Sequence, residues 1–218
     1  MFANLLDRPL RVLTWLALCA ACSGPAMLLP TAARESASWP LQGYREGRER
    51  DFTLGGARVH DLVRSHPPAA LARRVIAPTT SSARHYSFRL AAEGVTWQAA
   101  CDEQVDPKPS IVGFGSRALH LACACAASTD EPHASLSLLN HRGSLQLTNG
   151  SRFEISPVHQ TADGKSDKQV LGYALSGPRG SGALERTGSG RAFAPPDLDA
   201  RSSAELRCLY AALLLYRM

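Results

Sequence analysis

The sequence predicts a mainly β fold, an antiparallel meander, barrel or roll, packed around or against an apolar C-terminal α-helix. Apolar and polar residues alternate along much of residues 85–194, and turn residues interrupt the alternation every ~8–12 residues, as in β-sandwiches and β-barrels. From Cys208 to Tyr216, nine uncharged residues would cover every side of a helix. A helix of that kind must be buried, and it is shorter than the ~20 residues that span a bilayer.

The first 21 residues have the layout of a secretory signal peptide. Arg8 and Arg11 precede a short apolar run over residues 12–21, whose sequence is VLTWLALCAA. The sequence from Leu18 to Cys22, LCAAC, resembles the lipobox of bacterial lipoproteins, although Cys19 stands where that family usually has Leu. In the family, the peptide is cut just before the final Cys, and that residue is acylated. The resemblance implies that Cys22 is the lipidation site.

The same resemblance implies a location in the bacterial cell envelope. Ser23 follows Cys22, so no Asp comes directly after the lipidated position, and this implies an outer-membrane protein that faces the periplasm. The alternative is simple secretion to the periplasm, with cleavage at a small residue such as Ala26 or Ala33. In the first case, the membrane is a partner through the lipid anchor.

Residues 22–51 are predicted to be a flexible tether, because prolines and the charged run YREGRERD leave no apolar periodicity there. Residues 52–218 are predicted to form one β-rich domain. Its strand faces are defined by residues two apart in sequence: Tyr86, Phe88 and Leu90; Val95, Trp97, Ala99 and Cys101; Leu119, Leu121, Cys123 and Cys125; and Leu171, Tyr173 and Leu175. Asn149-Gly150 predicts a tight hairpin turn, since both residues accept positive φ.

The C-terminal helix is predicted to cover residues 202–217. Asp197 and Asp199 place negative charge before its N-terminus, and Ser202-x-x-Glu205 has the spacing of a capping box. Arg217 would complement the opposite end of the helix dipole. Three leucines are predicted to form its buried core: Leu209, Leu213 and Leu214.

Four cysteines follow Cys22, and an exported protein occupies a compartment in which disulfides persist. Cys101 and Cys123 are placed on the apolar faces of consecutive strands, so that an antiparallel pairing would bring them within disulfide reach. Cys125 competes with Cys123 for this bond, and Cys101–Cys123 is preferred. Cys208 is interpreted as a buried thiol that packs as a small hydrophobic residue.

Several functional classes find no support in the residues. The net charge is +5, but the basic residues are scattered and do not form the concentrated basic face that nucleic-acid binding needs. No P-loop, dinucleotide fingerprint, zinc-protease motif or EF-hand loop is present, so neither a cofactor nor a metal is expected. His120, Cys123 and Cys125 do not predict a metal site, because His120 faces away from the cysteines on a strand.

A meander that closes on a buried apolar C-terminal helix also resembles, in layout, the tubby-like and phospholipid-scramblase-type barrels. The resemblance covers residues 52–218 and rests on no sequence motif. Neither a scramblase-type calcium-binding segment nor a tubby-type basic phosphoinositide site is recognisable, so the resemblance implies no activity. The wider pattern is similar to that of uncharacterised envelope lipoproteins.

The sequence therefore favours a non-catalytic, lipid-anchored envelope protein that acts through protein–protein contact or envelope structure, with an envelope protein as partner. The alternative is a container that binds an apolar ligand or lipid inside the β-structure. Whether the helix plugs or only covers the β-structure separates these two hypotheses. An enzyme would require Ser, His and acidic groups that only the fold could bring together.

Overall fold

The computed structural model describes residues 26–34, 36–45, 51–65, 82–107, 117–128, 131–187 and 190–216. Within them, twelve antiparallel strands close into a barrel, and each strand pairs with its neighbours in sequence. The meander is closed where β1 pairs with both β2 and β12. The strands are β1 (Ser38–Gln42), β2 (Phe52–Leu54), β3 (Ala57–Ser65), β4 (Ser82–Ala92), β5 (Val95–Pro107), β6 (Arg117–Ala126), β7 (Ala134–Leu139), β8 (Arg142–Gln146), β9 (Arg152–Val158), β10 (Gly172–Gly177), β11 (Gly180–Glu185) and β12 (Arg191–Phe193).

Two helices complete the described chain. The short helix α1 (Thr31–Arg34) lies before β1, and α2 (Ala200–Leu215) follows β12. The prediction of a mainly β fold with a C-terminal helix is confirmed. Among the described residues, no helix combines the length and the apolar character that a membrane crossing requires.

The barrel wall follows the alternation in the sequence. In β4, for example, the buried residues Tyr86, Phe88 and Leu90 alternate with exposed neighbours. The predicted Asn149-Gly150 turn lies between β8 and β9, where Gly150 has a φ of 83°. Burial of one face along each long strand fixes the register, because a shift by one residue would expose that whole face.

The predicted flexible tether is wrong over residues 26–34 and 36–45, which belong to the folded domain. Residues 38–42 form β1, a strand that pairs on both sides and closes the barrel. Trp39 and Leu41 pack against the core, and the carbonyl of Pro40 accepts a hydrogen bond from the backbone N–H of Gly55 at 2.9 Å. A strand of five residues with a central proline has almost no local signal, and its tertiary partners override its composition.

The helix boundaries also differ from the prediction. Helix α2 begins at Ala200 and ends at Leu215, with Asp199 as its N-cap residue. The helix runs along the inside of the barrel from the end that holds the β8–β9 turn to the end that holds the β7–β8 turn. We call these the helix N-terminal end and the helix C-terminal end of the barrel.

The predicted signal peptide, Cys22 and Arg217 all lie outside the described residues. Strand β5 continues past the predicted strand face that ends at Cys101, as far as Pro107. The extension occurs because β4 and β6 flank this part of β5 and pair with it on both sides.

Candidate functional site

The interior of the barrel, where a ligand could bind, is filled by α2. From Ala204 to Tyr216, every side chain except Arg207 is buried. Leu209 and Leu213 are each 0% exposed, and Leu214 is 2% exposed. The three leucines predicted as the helix core thus lie inside the barrel, and the helix plugs the β-structure rather than covering it.

Two disulfides reinforce this interior. Cys101 and Cys123 are direct cross-strand partners on β5 and β6, and they are joined in the pairing that the sequence favoured. Cys125, the competitor, is bonded instead to Cys208 of α2, with 6.3 Å between the two Cα atoms. The interpretation of Cys208 as a thiol is therefore wrong. Period two places Cys125 on the inward face of β6, so a buried helix is within its reach; this signal was present in the sequence.

The helix C-terminal end is held by a group of buried and half-buried polar side chains, which we call the cap cluster: Tyr44, Arg64, Tyr86, Glu103 and Arg186. The last carbonyls of a helix have no partner within the helix and must find one elsewhere. Tyr86 donates to the carbonyl of Ala212 at 2.8 Å, and Tyr44 donates to that of Leu214 at 2.9 Å. The Arg64 guanidinium donates to the carbonyl of Leu215 at 2.5 Å, and the Arg186 guanidinium donates to the carbonyl of Tyr216 at 3.3 Å.

The charges of the cap cluster suit the helix dipole. Two arginines lie at the end of the helix that carries partial negative charge. The Arg64 guanidinium lies 3.9 Å from the Glu103 carboxylate, and their side chains are 8% and 3% exposed. The sequence suggested Arg217 for this role, whereas the described structure supplies the cations from the barrel wall, which no local pattern in the helix could predict.

The tyrosines of this end are poor candidates for acid–base chemistry. Burial raises the pKa of Tyr86 well above its ordinary value, and the nearby Glu103 carboxylate raises it further. Burial also raises the pKa of Tyr216. Both hydroxyls therefore stay protonated at neutral pH, and Tyr86 acts as a hydrogen-bond donor to the helix.

The helix N-terminal end is also fixed by side chains. The Asp199 carboxylate accepts from the backbone N–H of Ser202 at 2.7 Å. Glu205 does not close a capping box as the sequence predicted; its carboxylate accepts from the backbone N–H of Thr148 at 2.9 Å and from the Thr148 hydroxyl. Glu205 is 0% exposed and so joins α2 to the β8–β9 turn. The sequence could not show this, because residues 148 and 205 meet only in the folded barrel.

The outer surface carries further titratable groups. His120 lies outside the barrel, 3.6 Å from Asp106, while Cys123 and Cys125 face inward. His85 and Asp102, cross-strand neighbours on β4 and β5, form a second pair of this kind. Within the described parts of the chain, no three His, Cys, Asp or Glu residues gather as metal ligands.

Among the surface clefts that the described residues line, two lie near opposite ends of the barrel. One has a volume of about 370 Å³ and opens beside the N-terminus of α2, where Thr148, Asp199 and Arg201 line it. The other has a volume of about 530 Å³ and lies between the N-terminal segment and the end of β9. Its lining residues are Leu28, Leu29, Pro30, Thr31, Arg34, Pro157, Val158, His159 and Gln160.

The described residues thus form a closed, plugged barrel, and the two clefts described above lie on its outside. Interior polar groups are used to hold α2, and the disulfide between Cys125 and Cys208 joins the plug to the wall. Comparison of the chain with family models, with curated proteins and with solved structures found no match.

Proposed function

We propose that this protein is a non-catalytic, lipid-anchored component of the bacterial cell envelope that acts through protein–protein contact or envelope structure. The observation that carries the proposal is the filled barrel: α2 occupies the interior, with Leu209 and Leu213 fully buried. A partner therefore meets the outer surface of the barrel. The partner on this proposal is another envelope protein, held near by the membrane anchor.

The two disulfides support an envelope location. Disulfides persist in oxidising compartments such as the periplasm and are rare in the cytosol. Together with the lipobox resemblance around Cys22, they favour a protein of the outer membrane that faces the periplasm. Several acyl chains at Cys22 would give stable anchoring, since each buried CH₂ contributes ~0.8 kcal/mol.

Mass spectrometry of the mature N-terminus tests the anchor. Protein purified from the membrane fraction is expected to begin at Cys22 and to carry the mass of its acyl chains. A Cys22→Ala variant is the matched control, and it is expected to leave the membrane fraction because it lacks the acceptor thiol. A mature chain that begins after Cys22 without lipid would contradict the proposal and favour simple secretion.

The alternative, a container for an apolar ligand, is less well supported. Such a ligand would have to displace α2 from the barrel, while the Cys125–Cys208 bond holds the helix against β6. Displacement would also remove the cap cluster's hydrogen bonds to the helix carbonyls. We therefore place the function on the outside of the barrel.

A further inference from the structure

The N-terminal strap, residues 26–34, is fixed to the outside of the barrel. The backbone N–H of Ala162 donates to the carbonyl of Ala26, and that of Leu28 donates to the carbonyl of Gln160, both at 2.8 Å. The backbone N–H of Met27 donates to the Glu185 carboxylate at 3.0 Å. The strap is therefore part of the folded domain from its first described residues onward.

Side-chain packing also fixes the strap to the barrel wall. Met27 is 2% exposed and belongs to a small core outside the barrel, with Leu171 and Phe193. Gly172 leaves the space for it, because a Cβ there would lie 2.4 Å from the Met27 sulfur. Leu171, Gly172 and Phe193 thus form a packing site for the strap on the barrel wall, which we call the seat.

This seat lies at the helix C-terminal end of the barrel. Gly172 pairs with Glu185 at the ends of β10 and β11, and the next residue, Arg186, donates to the carbonyl of Tyr216. Glu185 is also the residue that receives the Met27 N–H. The strap therefore begins on the outside of the barrel, at the same end as the last turn of α2.

A lipid on Cys22 would consequently hold one end of the barrel close to the bilayer. Four residue steps separate Cys22 from Ala26, a reach of about 14 Å at full extension. Helix α2 has 16 residues and is about 24 Å long, so the opposite end of the barrel lies beyond that reach. The predicted long tether would have left the orientation open, whereas the fixed strap restricts it.

The cleft of about 530 Å³ beside the strap has the chemistry of a headgroup contact. Leu28, Leu29 and Pro30 are only partly buried there. Arg34 is the cation that lines the cleft, and no carboxylate lies among the described lining residues. Apolar side chains with a nearby cation suit the boundary between acyl chains and phosphates.

We propose that the helix C-terminal end of the barrel faces the bilayer and that this cleft lies on phospholipid headgroups. The inference rests on the proposed anchoring at Cys22 and adds the orientation and the contacting surface. The opposite end, with the cleft beside the N-terminus of α2, then points away from the membrane and is presented to a protein partner.

Fluorescence quenching in vesicles of phosphatidylethanolamine and phosphatidylglycerol tests this orientation. The lipidated protein carries a thiol-reactive fluorophore at Ala162→Cys, beside the strap, or at Gln146→Cys, at the far end of β8; both positions are exposed. A nitroxide on the lipid headgroups is the quencher. We expect several-fold stronger quenching at position 162 than at position 146.

Two further variants test separately the short link from Cys22 to the strap and the contact between the cleft and lipid. A Gly/Ser insertion between Gly24 and Pro25, long enough to span the barrel, is expected to remove the difference while the protein stays bound. Leu28→Asp, which places a charge in the cleft and leaves Cys22 intact, is expected to reduce quenching at position 162. Unchanged quenching in Leu28→Asp would show that the cleft does not contact lipid.

The remaining outcomes overturn different parts. Equal quenching at the two positions, or stronger quenching at position 146, in vesicle-bound protein would refute the orientation and leave the anchor intact. An unquenched position 162 in bound protein that self-associates would assign the cleft to a second copy of the chain. Failure to bind vesicles at all would refute the anchor, and with it this inference.

Discussion

Cys125, in the barrel wall, is disulfide-bonded to Cys208, near the middle of the buried helix. The bond links residues 83 positions apart, so it joins α2 to a strand that lies much earlier in the sequence. Cys101–Cys123 spans only 22 positions and joins neighbouring strands. The two bonds are expected to differ in what they stabilise.

Removal of the longer bond is expected to cost more. In the chain-entropy model, the Cys125–Cys208 loop stabilises the fold by roughly 4.5 kcal/mol, and the Cys101–Cys123 loop by roughly 3 kcal/mol. We expect the double variant Cys125→Ala/Cys208→Ala to lose more free energy of unfolding than Cys101→Ala/Cys123→Ala. Urea unfolding of both variants measures this. The reverse order would show that the plug is held without the covalent link.

A charge in the plug should prevent folding. Leu213 is 0% exposed inside the barrel, and burial of an unpaired carboxylate costs several kcal/mol. Leu213→Asp is therefore expected to abolish cooperative unfolding in a thermal scan followed by circular dichroism. Leu139→Asp is the matched control, because Leu139 is 50% exposed on the outer face, and it is expected to unfold close to the wild type. Cooperative unfolding of Leu213→Asp near the wild-type midpoint would contradict a central role for α2.

Two tyrosines at the helix C-terminal end should respond differently to loss of the hydroxyl. Tyr86 donates to the carbonyl of Ala212, so Tyr86→Phe leaves that buried carbonyl without this donor and is expected to cost about 1–3 kcal/mol. The buried hydroxyl of Tyr216 makes no hydrogen bond to any described residue, and Tyr216→Phe is expected to be neutral or stabilising. Chemical denaturation compares the two, and equal losses would argue against the capping role of Tyr86.

Asp199 should make the fold sensitive to acid. The backbone N–H of Ser202 lowers the pKa of the Asp199 carboxyl in the folded state. Its contribution is therefore present above the unfolded-state pKa of about 3.9 and is lost as the pH falls through the lower folded value. Asp199→Ala is expected to cost about 1 kcal/mol at neutral pH, as the loss of an N-cap does.

The variant Asp199→Asn distinguishes the stability that comes from the N-cap hydrogen bond from the stability that comes from the carboxylate charge. Asn is an N-cap residue of comparable strength but does not titrate. This variant should keep most of the stability at neutral pH and lose part of the acid dependence seen in the wild type. An unchanged pH profile between pH 2 and 5 would show that Asp199 does not contribute to that dependence.

Alternation along the strands was sufficient to predict the barrel's long strands and the cross-strand placement of Cys101 and Cys123. It failed for β1, where Trp39, Pro40 and Leu41 form a strand only because β2 and β12 pair with it on both sides. The cap cluster could not be predicted from the sequence either, because Arg64 and Arg186 donate to the helix carbonyls from distant parts of the chain. Sequence periodicity reports which face of an element is buried; it does not report which distant side chain meets a helix end.

The claim that α2 fills the barrel, so that the protein acts through its outer surface, is tested most directly by native mass spectrometry. The Cys22→Ala protein is used, so that no covalent lipid complicates the spectrum, and it is incubated with lipids extracted from the envelope. We predict the mass of the bare polypeptide after mild removal of surface lipid. A stoichiometric lipid adduct that survives in the folded protein but disappears on unfolding would contradict the claim and favour a container.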